Sequence, residues 1–342
     1  MANLIELFLI IVLNLILVLL FDKIKIFKFT LDNPDGKRKF HLNPTPLAGG
    51  TLIILNIFFI LLLSLFTKDF LFEKNLFQAK SEFYYFFSIS LLIYSLGFAD
   101  DKIDLNPNLK FFLLIVIISS LIFLDHNIIL RSISFSFYDE LFFLDKYLSL
   151  IFTIFCFLVF LNAFNMFDGI NLQSCTYSII VFIYISLIYF DSLFIKLIII
   201  PLIAFAYLNY KNKSFLGDSG TLLLGFLISF IVVKLYNSKI IEYADDIILI
   251  MIIPGLDLIR IFFLRISNKK NPFKPDRSHI HHILLKKYGQ MKTILILIGL
   301  ILFPLSMNQL SISNAYIIIL TILIYSLTIS LSQNRNSNYS SG

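Results

Sequence analysis

The chain has 342 residues, of which 58% are hydrophobic and only 15% are charged, and its formal net charge is +6. Its mean hydropathy is +0.87. This composition lacks the polar surface that a water-soluble domain of this length needs, so it excludes a soluble globular protein and indicates an integral membrane protein. No nucleic-acid partner is expected, because no soluble domain is left to present a groove-reading element.

Apolar stretches long enough to cross a bilayer, about 20 helical residues each, follow one another along the chain. We therefore expect an all-α, polytopic integral membrane protein with about 11 transmembrane helices. Residues 1–331 form a single domain in this interpretation, and the Ser- and Asn-rich tail 332–342 is expected to be disordered. The predicted spans are 3–21, 47–66, 83–99, 109–124, 147–163, 175–190, 193–209, 215–235, 245–262, 292–304 and 314–331.

The distribution of Lys and Arg predicts the orientation of the spans. The first span carries Glu6 and has no basic residue ahead of it, which favours a retained helix with its N-terminus outside over a cleaved signal peptide. Lys and Arg are concentrated in the loops after odd-numbered spans, and these loops are therefore assigned to the cytoplasm. Basic residues beside spans also attract anionic headgroups, so membrane lipids are expected partners.

Five short polar segments interrupt the apolar sequence, and they hold nearly all of the candidate functional side chains. The predicted topology puts all five on the cytoplasmic side of the membrane. The segments are residues 41–46, 100–104, 162–169, 217–220 and 279–282.

The second polar segment places three carboxylates within one helical turn. At helical spacing Asp100 and Asp104 share a face, with Asp101 about 100° around the axis. Carboxylates this close repel one another unless a cation or proton intervenes, and Mg²⁺ commonly takes one or two carboxylates plus phosphate oxygens. A solvated acidic helix end is the alternative. Asp218 opens a predicted helix, where it either caps the N-terminus or adds a carboxylate to a metal beside a positive helix end.

The third segment presents Asn162, Asn165 and Asp168 at every third residue, along one side of a helix end. Polar side chains at membrane depth are costly without partners, which favours hydrogen bonds to a ligand. Hydrogen bonds between helices are the alternative, because Asn often serves that purpose in membrane proteins.

Three histidines, His279, His281 and His282, make up most of the last polar segment. Two His at this spacing could bind zinc, but the sequence has no Cys nearby and no His-Glu-x-x-His frame. Imidazoles near pH 7 are better suited to hydrogen bonding or charge pairing with phosphate.

Basic residues and a glycine pair surround the first polar segment. Lys37, Arg38 and His41 either grip a lipid phosphate or simply obey the topology rule. Gly49 and Gly50 allow helices or a ligand to approach closely at the start of the second span.

In this order, the polar segments resemble the motifs of the polyprenyl-phosphate N-acetylhexosamine-1-phosphate transferase family. The resemblance extends from about residue 41 to residue 282 and rests on residues 38–50, 97–101, 162–169, 215–220 and 272–282. The His-Ile-His-His form is similar to the bacterial branch that loads N-acetylglucosamine 1-phosphate onto undecaprenyl phosphate. The peptidoglycan branch is expected to have three consecutive His instead.

The resemblance implies an enzyme of the bacterial cytoplasmic membrane whose active site faces the cytoplasm. It would transfer N-acetylhexosamine 1-phosphate, here N-acetylglucosamine 1-phosphate, from a UDP-sugar to undecaprenyl phosphate and release UMP, as the first membrane step of a cell-surface glycan pathway. The cofactor would be Mg²⁺, with Mn²⁺ as an alternative, and a homodimer is left open. Two other functions are also left open: phospho-N-acetylmuramoyl-pentapeptide transfer in peptidoglycan synthesis, and a lipid or solute transporter with polar groups along its path.

The same resemblance assigns roles residue by residue. Asp100, Asp101 and Asp168 would be catalytic, and Asp218 and Asp101 would bind the metal ion. The residues that would bind substrate are Lys37, Arg38, His41, Asp104, Asn162, Asn165, Asn171, Asn209, Arg277, His279, His281 and His282.

One position departs from the family pattern. The family usually reads Asp-Gly-Ile-Asp-Gly, whereas here Asp168-Gly169-Ile170 is followed by Asn171 and Leu172. An amide can hydrogen-bond a uracil ring but cannot act as a base or bring charge to Mg²⁺. Either that carboxylate is not essential to the chemistry, which we favour, or this chain has an altered donor preference.

Overall fold

The computed structural model describes residues 2–34, 43–66, 75–269, 278–310 and 312–333. Within these ranges the chain forms eleven α-helices and two small two-stranded antiparallel sheets. The helices are α1 (Ala2–Leu19), α2 (Gly49–Phe66), α3 (Lys80–Ile103), α4 (Pro107–Leu124), α5 (Lys146–Phe167), α6 (Gln173–Tyr184), α7 (Leu193–Tyr210), α8 (Gly217–Asn237), α9 (Ala244–Ser267), α10 (Ile280–Met307) and α11 (Asn314–Gln333). The strands are β1 (Leu31–Asp32), β2 (Thr45–Pro46), β3 (Ser132–Phe135) and β4 (Tyr138–Phe143).

The all-α polytopic prediction is confirmed. Of the helices in the described ranges, nine are long and apolar enough to cross a membrane, and each predicted span overlaps one helix. The other two apolar segments are shorter: residues Leu4–Leu19 of α1, and α6 with the π-helical turn Ile185–Tyr189 that continues it. The number of spans therefore stays a prediction.

Four helix boundaries differ from the prediction by four residues or more at the end of the bundle where α3 and α5 end. α5 continues to Phe167 instead of ending at residue 163, and α9 continues to Ser267 instead of residue 262. α3 continues to Ile103 instead of ending at residue 99, and α10 begins at Ile280 instead of residue 292. The first turns of α10 are rich in His, Lys and Gln, so hydropathy alone did not identify them as helix. α10 breaks at Gly289, whose φ of 74° is not helical. The tail prediction also shifts slightly, because α11 continues through Gln333 and the rest of the tail lies outside the described residues.

Several helices start on local capping residues that the sequence supplies. Asn106 accepts a hydrogen bond from the backbone of Asn108 while Pro107 occupies the first turn of α4, and Asp145 caps α5 through the backbone N–H groups of Tyr147 and Leu148. Such side chains satisfy N–H groups that have no partner inside the helix.

α8 is the central helix of the bundle. Its apolar stretch is completely buried, and it packs against α2, α3 and α5. Glycines permit this close approach: a Cβ atom at Gly97 would lie 2.5 Å from the Cα of Ser219, and one at Gly50 would lie 2.6 Å from the backbone N of Gly220. The close approach predicted for the glycine pair is thus an approach between helices, at the start of α8.

The first polar segment is attached to the start of α8 by backbone hydrogen bonds. The N–H of Phe215 donates to the carbonyl of Pro46 at 2.9 Å, and the N–H of Gly49 donates to the carbonyl of Phe215 at 3.1 Å. β2, which holds Pro46, also pairs with β1. This stitching places the described part of the first segment beside the Gly217–Gly220 segment.

A buried ion cluster holds the opposite end of α8. The ammonium group of Lys234 lies 2.7 Å from a carboxylate oxygen of Glu82 and 2.6 Å from one of Asp125, and all three side chains are buried. The amide of Asn127 also donates to Glu82 at 2.8 Å. A buried charge is tolerated only when it is paired and hydrogen-bonded, as it is here.

A β-hairpin that the sequence did not predict lies near this opposite end, between α4 and α5. β3 and β4 pair with Ser132 opposite Phe143 and Phe135 opposite Tyr138. β4 has no clean alternation of polar and apolar residues, which is the usual sign of a half-buried strand, whereas the four residues of β3 do alternate but form too short a run to indicate a hairpin alone.

Candidate functional site

A cavity of about 1620 Å³ opens at the end of the bundle where α3 and α5 end and where α8 and α10 begin. It is lined by described residues of four of the five polar segments and of the turns between them. The sequence-predicted residues in its lining are Asp100, Asp101, Asp104, Asn165, Asp168, Asn171, Asn209, Asp218 and His282. The polar segments therefore do converge at one end of the fold.

Some predicted site residues are not in this lining. Lys37, Arg38, His41 and Arg277 lie outside the described residues. Asn162 lies one turn deeper in α5 than Asn165, and its amide donates to the carbonyl of Leu158 in its own helix at 2.8 Å. Asn162 therefore does not reach the cavity. His279 and His281 are buried and do not line the cavity either.

Asp101 caps the N-terminus of α8 from another helix. Its Oδ1 accepts from the backbone N–H of Asp218 at 2.7 Å, and its Oδ2 accepts from that of Ser219 at 3.0 Å. Gly217 precedes them with a φ of 72°, and a Cβ there would lie only 2.7 Å from Oδ2 of Asp101. Both oxygens of Asp101 thus serve the helix terminus, where a negative charge is favoured.

Lys110 connects two of the predicted acidic residues. Its ammonium group lies 2.6 Å from Oδ2 of Asp100 and 3.0 Å from Oδ2 of Asp218. The other oxygen of Asp100 accepts from the backbone of Leu105 at 2.7 Å, where the chain turns after α3. The sequence reasoning did not assign Lys110 to the site, although it lies in the first turn of α4, only ten residues after Asp100.

The charges around this cluster fit a divalent cation bound together with a phosphate ligand. Asp100 and Asp218 share the ammonium group of Lys110, and Asp101 adds a third carboxylate at the start of α8, so the ionised side chains leave two negative charges in excess. Asp218 is the more open of the two carboxylates that Lys110 contacts, with a side chain 35% exposed against 7% for Asp100. Within the described residues, no three His, Cys, Asp or Glu side chains are grouped to hold a metal by themselves. Mg²⁺ does not need such a cage, because it usually keeps water and phosphate oxygens as ligands.

Asp168 ends α5 and faces the same cavity. Burial raises the pKa of its carboxyl group to about 7, and the negative charge of Asp101 adds to the effect. Beside it, Asn165 accepts a hydrogen bond from the hydroxyl of Thr221 in α8, which leaves its amide N–H groups available. This corner of the cavity therefore offers a carboxyl group that titrates near neutrality and an amide donor.

Asn171 and Asn209 form an amide network that shapes the wall of the cavity. The Asn171 amide donates to the carbonyl of Asn209 at 3.1 Å and to the side chain of Asn212 at 2.6 Å. The Asn209 side chain accepts from the backbone of Leu172 at 2.6 Å and donates to the carbonyl of Ser214 at 2.7 Å. Leu172 has a left-handed backbone with a φ of 73°, a conformation that the network holds in place. The departure at position 171 thus has a structural consequence, because an ionised carboxylate could not donate either bond.

The three histidines start α10 and are positioned by α9. Asp257 accepts from His279 Nδ1 at 2.7 Å and from the backbone N–H of Ile280 at 3.1 Å. The rings of His279 and His281 are stacked with their centroids 5.5 Å apart, and those of His281 and His282 are 4.3 Å apart. Only His282 reaches the cavity lining. The last polar segment, which lies outside the predicted spans, is therefore the start of a helix, and the sequence analysis did not identify the role of Asp257.

Arg260 and Tyr325 complete the environment of that carboxylate. Arg260 donates to Asp257 at 2.8 Å and to the carbonyl of Ser278 at 2.6 Å, and the hydroxyl of Tyr325 donates to Asp257 at 2.8 Å. α9, α10 and α11 are thereby joined at the histidine segment.

Two lysines in the lining, Lys102 and Lys286, were not predicted as site residues. Both are exposed. The cavity also has apolar walls, to which Leu47, Phe205 and Phe215 contribute. It therefore combines groups suited to phosphate with surface suited to an apolar chain.

Part of the chain that contains several of these site residues matches a known family profile. Residues 83–236, which include the ends of α3, α5 and the start of α8, match the glycosyl transferase family 4 profile. The family resemblance predicted from the polar segments is confirmed.

Three relatives to which the chain is similar share one functional name. The chain is 29% identical over 289 residues to the undecaprenyl-phosphate alpha-N-acetylglucosaminyl 1-phosphate transferase of Thermotoga maritima, which covers 84% of this chain and 82% of the relative. It is 25% identical over 285 residues to the protein of that name from Yersinia pestis, covering 80% and 74%. A shorter match of 160 residues to the Escherichia coli K12 protein of that name is 30% identical, covering 43% and 44%.

Proposed function

We propose that this chain transfers N-acetylglucosamine 1-phosphate from UDP-N-acetylglucosamine to undecaprenyl phosphate and releases UMP. The match of residues 83–236 to the glycosyl transferase family 4 profile supports a transferase. The names of the relatives support the acceptor and the transferred group. The observation that carries the proposal is the convergence of Asp100, Asp101, Asp168 and Asp218 in one cavity that also has apolar walls, with Lys110 paired to two of these carboxylates.

The reaction joins the lipid phosphate to the sugar phosphate. An oxygen of the lipid phosphate attacks the sugar-bearing phosphorus of the donor, a new P–O–P bond forms, and the bond between that phosphorus and the oxygen of UMP breaks. The electron pair of this bond leaves with UMP. Such a phosphoryl transfer requires alignment and charge neutralisation more than covalent work by the protein.

The residues of the acidic cluster can supply most of this neutralisation. Asp218, the more open of the two carboxylates that Lys110 contacts, would hold Mg²⁺, which when bound would neutralise charge on the donor diphosphate. Lys110 keeps the two carboxylates together and compensates one of their charges. Asp101 fixes the start of α8, so that the positive end of that helix faces the phosphates.

Asp168 is the best-suited proton acceptor among the site carboxylates. Asp100, Asp101 and Asp218 are bound to Lys110 or to the start of α8, whereas Asp168 contacts neither, and burial raises its pKa to about 7. A base is most effective when its pKa is close to the working pH. Asp168 would therefore take the proton from a singly ionised lipid phosphate before attack, while Asn165 positions the nucleotide.

A transporter would require polar groups along a path between both faces. Buried charges do occur at the opposite end of α8, but Lys234 is paired there with Glu82 and Asp125. Such closed pairing is typical of a structural cluster, and it favours the enzyme over the transporter.

Purified protein in phospholipid vesicles, supplied with undecaprenyl phosphate and a panel of UDP-sugars, tests the proposal by UMP release. We expect turnover with UDP-N-acetylglucosamine and Mg²⁺, less with Mn²⁺, and none after chelation. Turnover with UDP-N-acetylmuramoyl-pentapeptide alone would favour the peptidoglycan alternative. The D218N variant should lose activity, whereas D139N, which neutralises an exposed carboxylate on the distant hairpin, should not.

The proposal also includes the orientation of the protein in the bacterial cytoplasmic membrane, with the cavity on the cytoplasmic side. The excess of Lys and Arg in the loops at this end supports it. An N212C variant at the exposed rim should react with a membrane-impermeant maleimide only after the cells are opened. Labelling in intact cells would contradict this orientation.

A further inference from the structure

The β3–β4 hairpin exposes an unusual amount of apolar surface. All six residues of β4 are exposed, so the strand covers neither of its faces with protein. Phe143 is 77% exposed, and Leu141 and Phe142 beside it are 48% and 47% exposed. Phe137 at the turn is 55% exposed. Contiguous apolar surface of this kind usually marks a site of interaction with a protein or a membrane.

The hairpin has features that would make it unstable if water surrounded it. A two-stranded hairpin without further packing is at best marginally stable in water. Here an aromatic cluster links the strands: the Tyr138 and Phe142 rings are stacked with centroids 5.2 Å apart, and Phe135 meets Phe142 edge-on at 6.1 Å. The outward sides of these rings remain uncovered.

Polar contacts fix the opposite side of the hairpin to the bundle. The backbone N–H of Ser134 donates to the hydroxyl of Tyr236 at the end of α8, and the backbone N–H of Ser136 donates to Asp245 at the start of α9. The donor–acceptor distances are 2.9 Å for Ser134 and 2.8 Å for Ser136. The hairpin is therefore held at the level of the helix ends, at the end of the bundle away from the cavity.

The surface of the hairpin is continuous with the outward surface of α5. Tyr147, Leu148 and Ile151 follow the hairpin in sequence and are 75%, 48% and 65% exposed. In a membrane-spanning helix such residues face lipid. Aromatic residues at helix ends are typical of the boundary between headgroups and acyl chains. The acidic residues Asp139 and Glu140 would reach the headgroup region from there.

We propose that the β3–β4 hairpin is an interfacial anchor, which inserts Leu141, Phe142 and Phe143 into the bilayer boundary at the end of the bundle opposite the cavity. The partner is the phospholipid bilayer. Three features favour lipid over a second protein: the apolar surface of the hairpin continues that of α5, the hairpin lies at the level of the helix ends, and its exposed side chains are largely aromatic. Anchored there, the hairpin would keep α4 and α5 at a fixed depth, and with them the ends of α3 and α5 at the cavity.

The absence of tryptophan from the chain makes a direct test available. In the F143W variant the introduced indole is the only tryptophan, and its fluorescence reports its own surroundings. We would reconstitute the full chain into vesicles whose phospholipids carry bromine either near the headgroup end or near the methyl end of the acyl chains. The proposal predicts a loss of F143W fluorescence that is larger with bromine near the headgroup end.

Two matched variants calibrate the depth. F155W places the indole on the exposed surface of α5, nine residues after its start and about 14 Å along the helix axis, so its loss should be larger with bromine near the methyl end. F83W places the indole in the core, where Phe83 is 1% exposed, and it should respond to neither lipid. If F143W does not fold, L141W provides the same test on the same strand.

Two results would overturn the proposal. Quenching of F143W by aqueous iodide without quenching by brominated lipid would show that the hairpin stands in water. Protection from both quenchers would show that protein, such as a second copy of this chain, covers it.

Discussion

The D101N variant should separate a structural from a chemical role for the most constrained carboxylate of the site. Asp101 accepts from two backbone N–H groups at the start of α8. An Asn can accept only one of them, because its NH₂ group faces the other N–H, and the favourable charge at the helix terminus is lost. A charge-assisted hydrogen bond of this kind contributes roughly 1.5–3 kcal/mol, and a lost cap typically about 1 kcal/mol. We expect a loss of about 2 kcal/mol in the free energy of unfolding.

Unfolding of the purified protein in mixed detergent micelles, followed by far-UV circular dichroism during titration with a denaturing detergent, measures this loss. D218N is the matched comparison, because Asp218 faces the cavity and its backbone rather than its side chain is held by Asp101. It should lose UMP release while retaining stability. D104N, at an exposed turn, should leave stability unchanged. A D101N protein as stable as wild type would refute the capping role.

Three further predictions test other contacts of the site. K110M removes the cation between Asp100 and Asp218, so the two carboxylates repel each other; UMP release should fall at least tenfold, and K110R should recover part of it. Because the pKa of Asp168 is raised to about 7, its charged form is lost as the pH falls through 7; wild-type turnover should fall over this range, and the residual turnover of D168N should not follow it. N171D cannot donate to Asn209 and Asn212, and we expect a loss of about 2 kcal/mol in stability, measured by the same detergent titration.

Hydropathy predicted the membrane-spanning architecture well because a span must be apolar along most of its length whatever its neighbours are. It predicted the first turns of α10 poorly, since His281, His282 and Lys286 belong to a helix that reaches beyond the apolar region. The hairpin escaped prediction for a related reason. β4 is exposed along its whole length and its sequence has no period-two pattern, so the alternation of Ser with apolar residues in the short strand β3 had no recognisable partner strand.

The location of the site was predictable from the sequence, whereas the roles of the individual residues within it were not. Segments far apart in sequence had to meet at one end of the bundle once the spans were counted. Lys110, however, looks in the sequence like any other basic residue beside a span, because its pairing with Asp218 involves residues 108 positions apart. Asp257 could have been found, since an ionisable residue in the middle of an apolar span is rarely without a partner.

The two carboxylates Asp101 and Asp257 show why sequence patterns leave these roles open. Each accepts from a backbone N–H at the start of another helix: Asp101 at α8, and Asp257 at α10 through Ile280. An ordinary cap lies within three residues of the N–H that it binds and can be recognised locally. A cap from a distant helix has no such spacing, and an acidic residue in a polar segment looks the same whether it binds a metal or a helix.

This arrangement also constrains how mutations in the site must be interpreted. Because Asp101 and Asp257 hold the helix starts that border the cavity, their loss would move Asp218 and His282 even if neither acid touches a substrate. Loss of activity alone therefore cannot identify a metal ligand here. Replacing a metal ligand should abolish turnover without changing stability, whereas replacing a capping acid should reduce both turnover and stability. Of the two carboxylates that contact Lys110, only Asp218 is exposed enough towards the cavity to be such a ligand.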